Sequence, residues 1–196
     1  MLVAAGVVLG AYVLGTFPTA TLVGRRFGFD PRAGGSGNPG ASNAFRLGGR
    51  TAGAFVLLGD LSKGVAAAGA GALLGGTGLA LSAGAAAIVG HVFPVTRGLR
   101  GGKGVATAAG VMLVVEPLAA AGGAGTWAIV LAVTRTAALS SLGDMLAALV
   151  AVLALRRPGW ELGGFAGLAV LIAVRHRGNL VRSRSNPGRS ISEEPS

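Results

Sequence analysis

Long apolar runs alternate with short polar segments along this chain. Apolar positions dominate 2–23, 51–75, 78–92, 104–116, 122–133, 136–155 and 160–174. A helix needs roughly 20 apolar residues to cross the hydrocarbon of a bilayer. The pattern therefore predicts an all-α polytopic integral membrane protein of about seven transmembrane helices, or about five if the shorter runs are re-entrant or interfacial. A break is expected near Thr134-Arg135, and the 122–155 region is the least regular part of the pattern. No positively charged stretch precedes the first run, so it reads as a retained span rather than a cleaved leader. The reading takes 1–182 as a single membrane-embedded domain and 183–196 as a polar, disordered tail.

Composition supports the bilayer assignment. Of 196 residues, 52% are hydrophobic and only 12% charged, a balance foreign to a water-soluble core. Thirty-six glycines suit helices that approach closely in lipid. There are no cysteines, which excludes disulfides and thiolate chemistry, and two distant histidines give no basis for a metal site or any other cofactor.

The net charge of +10 raises the possibility of nucleic acid, but its distribution argues against it. Thirteen of the seventeen Lys and Arg residues fall in 24–50, 94–104 and 175–196, each beside an apolar run. With seven spans these three basic polar segments share one face, which the positive-inside rule places in the cytoplasm. Arg156-Arg157 would then lie on the opposite side. Base-stacking aromatics are also scarce, at 5% of the chain.

The three segments carry the candidate chemistry. Gly34-Gly35-Ser36-Gly37-Asn38-Pro39-Gly40-Ala41-Ser42-Asn43 with Arg46 combines backbone donors, hydroxyls and amides with a guanidinium, a set able to cradle a phosphate. The same residues also suit a solvated turn. Gly101-Gly102-Lys103-Gly104 opens a predicted helix, and a helix N-terminus beside a lysine is a good anion site. It is not a nucleotide-binding P-loop, because Gly104 stands where Ser or Thr is required. His176 and Asn179 are spaced to share a helical face. Asp60 and Lys63, three apart inside an apolar run, should pair and fix packing, and Glu116 and Asp144 are further ionisable groups among apolar residues.

Taken in order, the 34–43 stretch with Arg46, Gly90-His91-Val92-Phe93-Pro94, Gly101-Gly102-Lys103-Gly104-Val105-Ala106-Thr107 and His176-Arg177-Gly178-Asn179 resemble the bacterial acyl-phosphate:glycerol-3-phosphate acyltransferase family, known as PlsY. Asp60-Leu61-Ser62-Lys63-Gly64 looks like another signature of that family. The resemblance implies a multi-pass enzyme of the bacterial inner membrane with its active site facing the cytoplasm. It implies transfer of a fatty acyl group from acyl phosphate to the 1-hydroxyl of glycerol 3-phosphate, giving lysophosphatidic acid and phosphate, by a protein read here as monomeric.

By motif match, Ser36, Arg46, Lys103, His176 and Asn179 are the expected catalytic residues. Gly37, Asn38, Asn43, His91, Gly101, Gly102, Gly104 and Thr107 are the expected substrate-binding ones. The family commonly carries a glutamate beyond the third motif, where this chain reads Pro187-Gly188-Arg189, and Glu193 and Glu194 lie further on.

The chemistry needs no strong base, because acyl phosphate is a mixed anhydride with a good leaving group. His176 is the candidate for taking the hydroxyl proton, with a substrate phosphate as the alternative. Ser36 reads as a hydrogen-bonding residue, since no base lies near it in sequence to support a covalent route. A transporter or channel for small phosphorylated anions is the competing class; it would use the glycine breaks and intramembrane charges as a pathway.

Overall fold

The computed structural model describes residues 1–185, with side chains as far as Arg177. The side chain of Asn179 and the 186–196 part of the expected tail lie outside the described residues. All regular elements among those residues are helical: α1 (Leu2–Gly15), α2 (Thr19–Phe27), α3 (Ala41–Val92), α4 (Val105–Val115), α5 (Pro117–Thr134), α6 (Ala137–Ala154) and α7 (Gly159–Ser185). A single 3₁₀ turn, Val95–Arg97, sits between α3 and α4. Four helical stretches among the described residues are long and apolar enough to cross a membrane, namely Leu2–Phe27, Ala41–Arg97, Pro117–Thr134 and Ala137–Ala154, and α4 is a shorter apolar helix. The chain forms two compact units, Met1–Val115 and the part from Glu116 onward.

In the first unit, the expected 2–23 span is broken. Pro18 has no N–H to continue the ladder and disfavours helical backbone at Phe17, so α1 ends at Gly15 and α2 restarts at Thr19. α2 turns Thr19, Ala20 and Gly24 inward and exposes Leu22, Arg25, Arg26 and Phe27, a division suited to a helix lying at a membrane surface. Gly28 ends it in the left-handed region, with its N–H on the Gly24 carbonyl.

α3 is three limbs rather than one rod. Non-helical backbone at Gly49 and at Gly75-Gly76 divides it into 41–48, 50–74 and 77–92. The second break falls where the sequence predicted it, between 75 and 78, and the chain folds back there: Gly71 lies against the backbone of Leu79 and Ala80. The first limb was expected to be loop, yet Ser42, Asn43 and Arg46 all lie on its helix.

Small residues set how these helices meet. Gly64 sits against the Thr107 carbonyl and Gly110 against the Leu61 carbonyl, so the middle limb of α3 and α4 touch backbone to backbone. Gly15 and Gly90 bring α1 against the last limb of α3 in the same way. Tyr12 closes that contact, its hydroxyl donating to the Phe93 carbonyl at 2.9 Å.

In the second unit, α5 begins at Pro117, five residues before the expected start at 122, because proline is favoured in the first turn. It ends at Arg135 in the left-handed region, matching the predicted break. Gly123 faces the Asp144 carboxylate, which joins α5 to α6. Arg157, apparently on the wrong side by charge, grips the buried Glu116 carboxylate with two nitrogens, one of them at 3.2 Å. Its charge is therefore neutralised locally. α7 runs past the expected end at 174.

The glycine seam makes a sharp prediction. Gly64→Ala places a methyl on a carbonyl that cannot move aside, and should lower stability by about 1–3 kcal/mol. Gly69→Ala, on the same limb with nothing within 4 Å of the added carbon, should leave the melting temperature unchanged or raise it. Thermal unfolding of the purified variants in detergent compares them directly.

Candidate functional site

The first glycine-rich segment is organised by one buried amide. Asn43, 1% exposed, donates from Nδ2 to the carbonyls of Pro31 (2.9 Å) and Gly34 (3.1 Å). Its Oδ1 accepts from the Ser36 N–H (2.9 Å) and from the Arg46 guanidinium (3.3 Å). All the hydrogen-bonding positions of this amide are thus engaged within the loop. Asn43 was expected to touch substrate; its geometry makes it the post around which the loop is wound. Gly35 completes the winding: its backbone is left-handed at φ 57°, and any side chain there would strike the Asn43 oxygen. Ser36 and Asn38 are half-buried, and Gly37 and Arg46 exposed, on the outside of the turn.

The second segment leans on the end of α3. The N–H groups of Gly101 and Gly102 donate to the carbonyls of Val92 (3.1 Å) and His91 (3.2 Å). Those glycines were expected in a substrate-binding loop; their own N–H groups cap the end of α3. The donors that face forward are the first N–H groups of α4, which have no partner within the helix, beside the half-buried Lys103. Gly104 supplies the turn, left-handed at φ 86°. Thr107, also expected at the substrate, is fully buried, with its carbonyl in the α3–α4 seam.

Beneath this loop lies a buried ionic cluster. Asp60, Lys63 and His91 are 2%, 4% and 6% exposed. The Lys63 ammonium meets Asp60 Oδ1 at 2.8 Å and donates to the Phe17 carbonyl at 2.7 Å. The second contact joins the Thr19 N–H, at 3.0 Å, on a carbonyl that the helix break at Pro18 takes out of the helical ladder. His91 Nδ1 lies 3.6 Å from the same carboxylate oxygen, and Gly102 packs on the other side of its ring, at Nε2. His91 therefore supports the loop from below, as a wedge between Asp60 and Gly102.

The two segments are joined. The Arg32 guanidinium donates to the Arg100 carbonyl at 3.2 Å, across 68 residues of sequence. Arg97 reaches back to the Thr16 carbonyl at 2.8 Å, tying the second segment to the end of α1. Arg32 and Arg97 were not singled out from sequence; an arginine in a basic loop gives no sign of which carbonyl it will find.

The third segment belongs to the second unit. His176 is 2% exposed, and its Nδ1 lies 2.8 Å from the Ile172 carbonyl one turn earlier. A carbonyl only accepts, so Nδ1 carries the hydrogen and a neutral ring holds its lone pair on Nε2.

A family model described as glycerol-3-phosphate acyltransferase matches residues 5–186. The glycerol-3-phosphate acyltransferase of Thioalkalivibrio sulfidiphilus is 45% identical over 184 residues, covering 93% of this chain and 91% of the relative. That of Geobacter sulfurreducens is 41% identical over 175 residues, covering 89% and 90%. The crystal structure of PlsY, an integral membrane glycerol 3-phosphate acyltransferase, in its glycerol 3-phosphate form superposes with a TM-score of 0.91 at 31% identity, covering 95% of this chain and 94% of that one. Its lysophosphatidic acid form gives 0.88 with the same coverage. Two loops tied into one cationic surface, an all-helical apolar scaffold and a match along nearly the whole length agree: this chain belongs to the glycerol-3-phosphate acyltransferase family.

Proposed function

We propose that this protein transfers a fatty acyl group from an acyl phosphate to the 1-hydroxyl of glycerol 3-phosphate, at the cytoplasmic face of a bacterial inner membrane, as a step of phospholipid synthesis. The observation that carries this reading is the tie from Arg32 to the Arg100 carbonyl, which joins two glycine-rich cationic loops. Both substrates bear phosphate, so a site for them needs two sets of anion-binding groups held side by side. Residues 1–182 act as one catalytic domain in this reading, with the protein working as a monomer.

The roles we assign rest on the motif resemblance and are supported by the geometry of the loops. Lys103 and the N-terminus of α4 bind one phosphate, with Gly101, Gly102 and Gly104 shaping the backbone that presents them. The Ser36 hydroxyl and the Asn38 amide offer donors on the outer side of the first loop, Gly37 shapes the turn with its N–H held by the Gly34 carbonyl, and Arg46 forks onto phosphate oxygens. Asn43, His91 and Thr107 are positioning residues that hold these groups in place. The hydroxyl oxygen of glycerol 3-phosphate attacks the acyl carbonyl, a C–O bond forms, and the bond from carbonyl carbon to phosphate oxygen breaks. Inorganic phosphate departs with the electron pair, stabilised by the same cations. By the motif resemblance we assign His176 to take the hydroxyl proton, at Nε2 when Nδ1 bonds to Ile172, and Asn179 to orient the acceptor.

The donor is tested by giving purified protein palmitoyl phosphate or palmitoyl-CoA with glycerol 3-phosphate. Lysophosphatidic acid should form only with the phosphate, and Lys103→Ala and Arg46→Ala should each lower kcat/KM by about 100-fold or more. Equal turnover on palmitoyl-CoA would overturn the donor assignment. Asn43→Ala should behave differently from Arg46→Ala. It should lose about 2 kcal/mol or more of stability together with activity, because it strands buried partners, whereas Arg46→Ala should keep its melting temperature. His176→Gln should cost about 100-fold or more and flatten the acid limb of the pH–rate profile. An unchanged profile at near-full activity would move the proton to a substrate phosphate.

A further inference from the structure

The break between α1 and α2 opens a cleft of about 820 Å³ that the reading above does not use. Arg25, Arg32 and Arg97 line it together with Val13, Leu14 and Phe17. Ser36, Arg46 and Lys103 are absent from its walls.

Its charge is unbalanced. Three arginines line it with one carboxylate residue, Asp30, whose Oδ1 already accepts the Arg32 backbone N–H at 2.9 Å. Arg97 is partly desolvated and feels the like charge of Arg32 more than the opposite charge of Asp60, and its Nε is buried without a hydrogen-bond partner among the described residues. Gathering like charges in a partly shielded cleft is unfavourable unless an anion sits between them. Guanidinium forks match phosphate oxygens in spacing and plane.

The apolar part of the lining has another character. Val13, Leu14 and Phe17 are 65%, 38% and 52% exposed, where α1 ends. A small hydrophilic anion would leave those side chains uncovered. A molecule with a phosphate head and a fatty chain would cover them as well as the arginines.

We infer that this cleft is a second binding site, for a phosphate-headed membrane amphiphile, separate from the site of Ser36, Arg46 and Lys103. Two sources share the chemistry: an anionic phospholipid of the bilayer, and a single-chain phosphate such as lysophosphatidic acid. Arg32 lines the cleft and its guanidinium holds the Arg100 carbonyl, so the two sites are neighbours through this residue.

The test is binding to delipidated protein in neutral detergent, read by native mass spectrometry. The probes are dioleoylphosphatidylglycerol, palmitoyl lysophosphatidic acid, dioleoylphosphatidylcholine and inorganic phosphate. Wild type should retain at least one of the two anionic amphiphiles, and the tighter of them identifies the source. Arg25→Gln and Arg97→Gln should weaken that binding about tenfold or more, Arg97→Lys less, and Arg46→Ala should leave it intact. Because Arg97 also holds the Thr16 carbonyl, Arg25→Gln is the deciding variant if Arg97→Gln does not fold. Retention that ignores Arg25, or that disappears in Arg46→Ala, overturns the second site. Inorganic phosphate binding as tightly as either lipid overturns the amphiphile.

Discussion

The first unit depends on one carboxylate placed where charge is costly. Asp60 is buried among apolar helices, and ion pairs in such places persist only when each partner is further hydrogen-bonded. Here the partners reach different elements: Lys63 extends to the Phe17 carbonyl and His91 to Gly102. The helix break that defines α2 and the loop that opens α4 are thus held by the same oxygen atom. Around this centre the glycine seams bring backbone close to backbone, which fixes where α4 begins and how its first N–H groups are aimed. The cationic loops above therefore rest on a rigid, charged floor.

Much of this was legible before any coordinates. The Gly75-Gly76 break, the end of α5 near Thr134-Arg135 and the Asp60–Lys63 pair each follow from a strong local signal: flexible glycine, an abrupt polar dipeptide, two opposite charges at helical spacing. The misses have equally local causes. Pro18 lies inside an apolar run, so hydrophobicity alone read straight through it. Residues 41–48 carry glycine and asparagine beside a turn, which hides a short helix whose stability comes from packing Ala44 and Val56 with Ala20. α5 was placed late because Glu116-Pro117 marks the end of the preceding apolar run, whereas that proline opens the next helix and Gly123 within it is there for close approach to Asp144.

The candidate site was legible as a composition and opaque as an arrangement. Sequence identifies the residue types that bind phosphate, but not which amide is buried and which guanidinium finds a carbonyl. Asn43 and Asn38 look alike on paper; one is the buried centre of the loop and the other is half-buried on its outside. Arg32 and Arg97 likewise gain their significance from partners 68 and 81 residues away. Charge counting failed instructively at Arg157, which counts as a stray cation until Glu116 is seen beside it.

The hydrogen bond from Lys63 to Phe17 also bears on how such a chain is made. Synthesis delivers α1 and α2 to the bilayer first, at a stage when the Phe17 carbonyl has no ammonium to meet. Asp60 and Lys63 arrive later on one helical turn, already paired, so the middle limb of α3 enters lipid carrying no net charge from them. Until that limb docks, the Phe17 carbonyl has only the local Thr19 N–H, and docking adds the ammonium. The ion pair thus serves as a latch closed by the order of translation, and the bend is secured by a residue the ribosome has not yet reached when the bend is first needed.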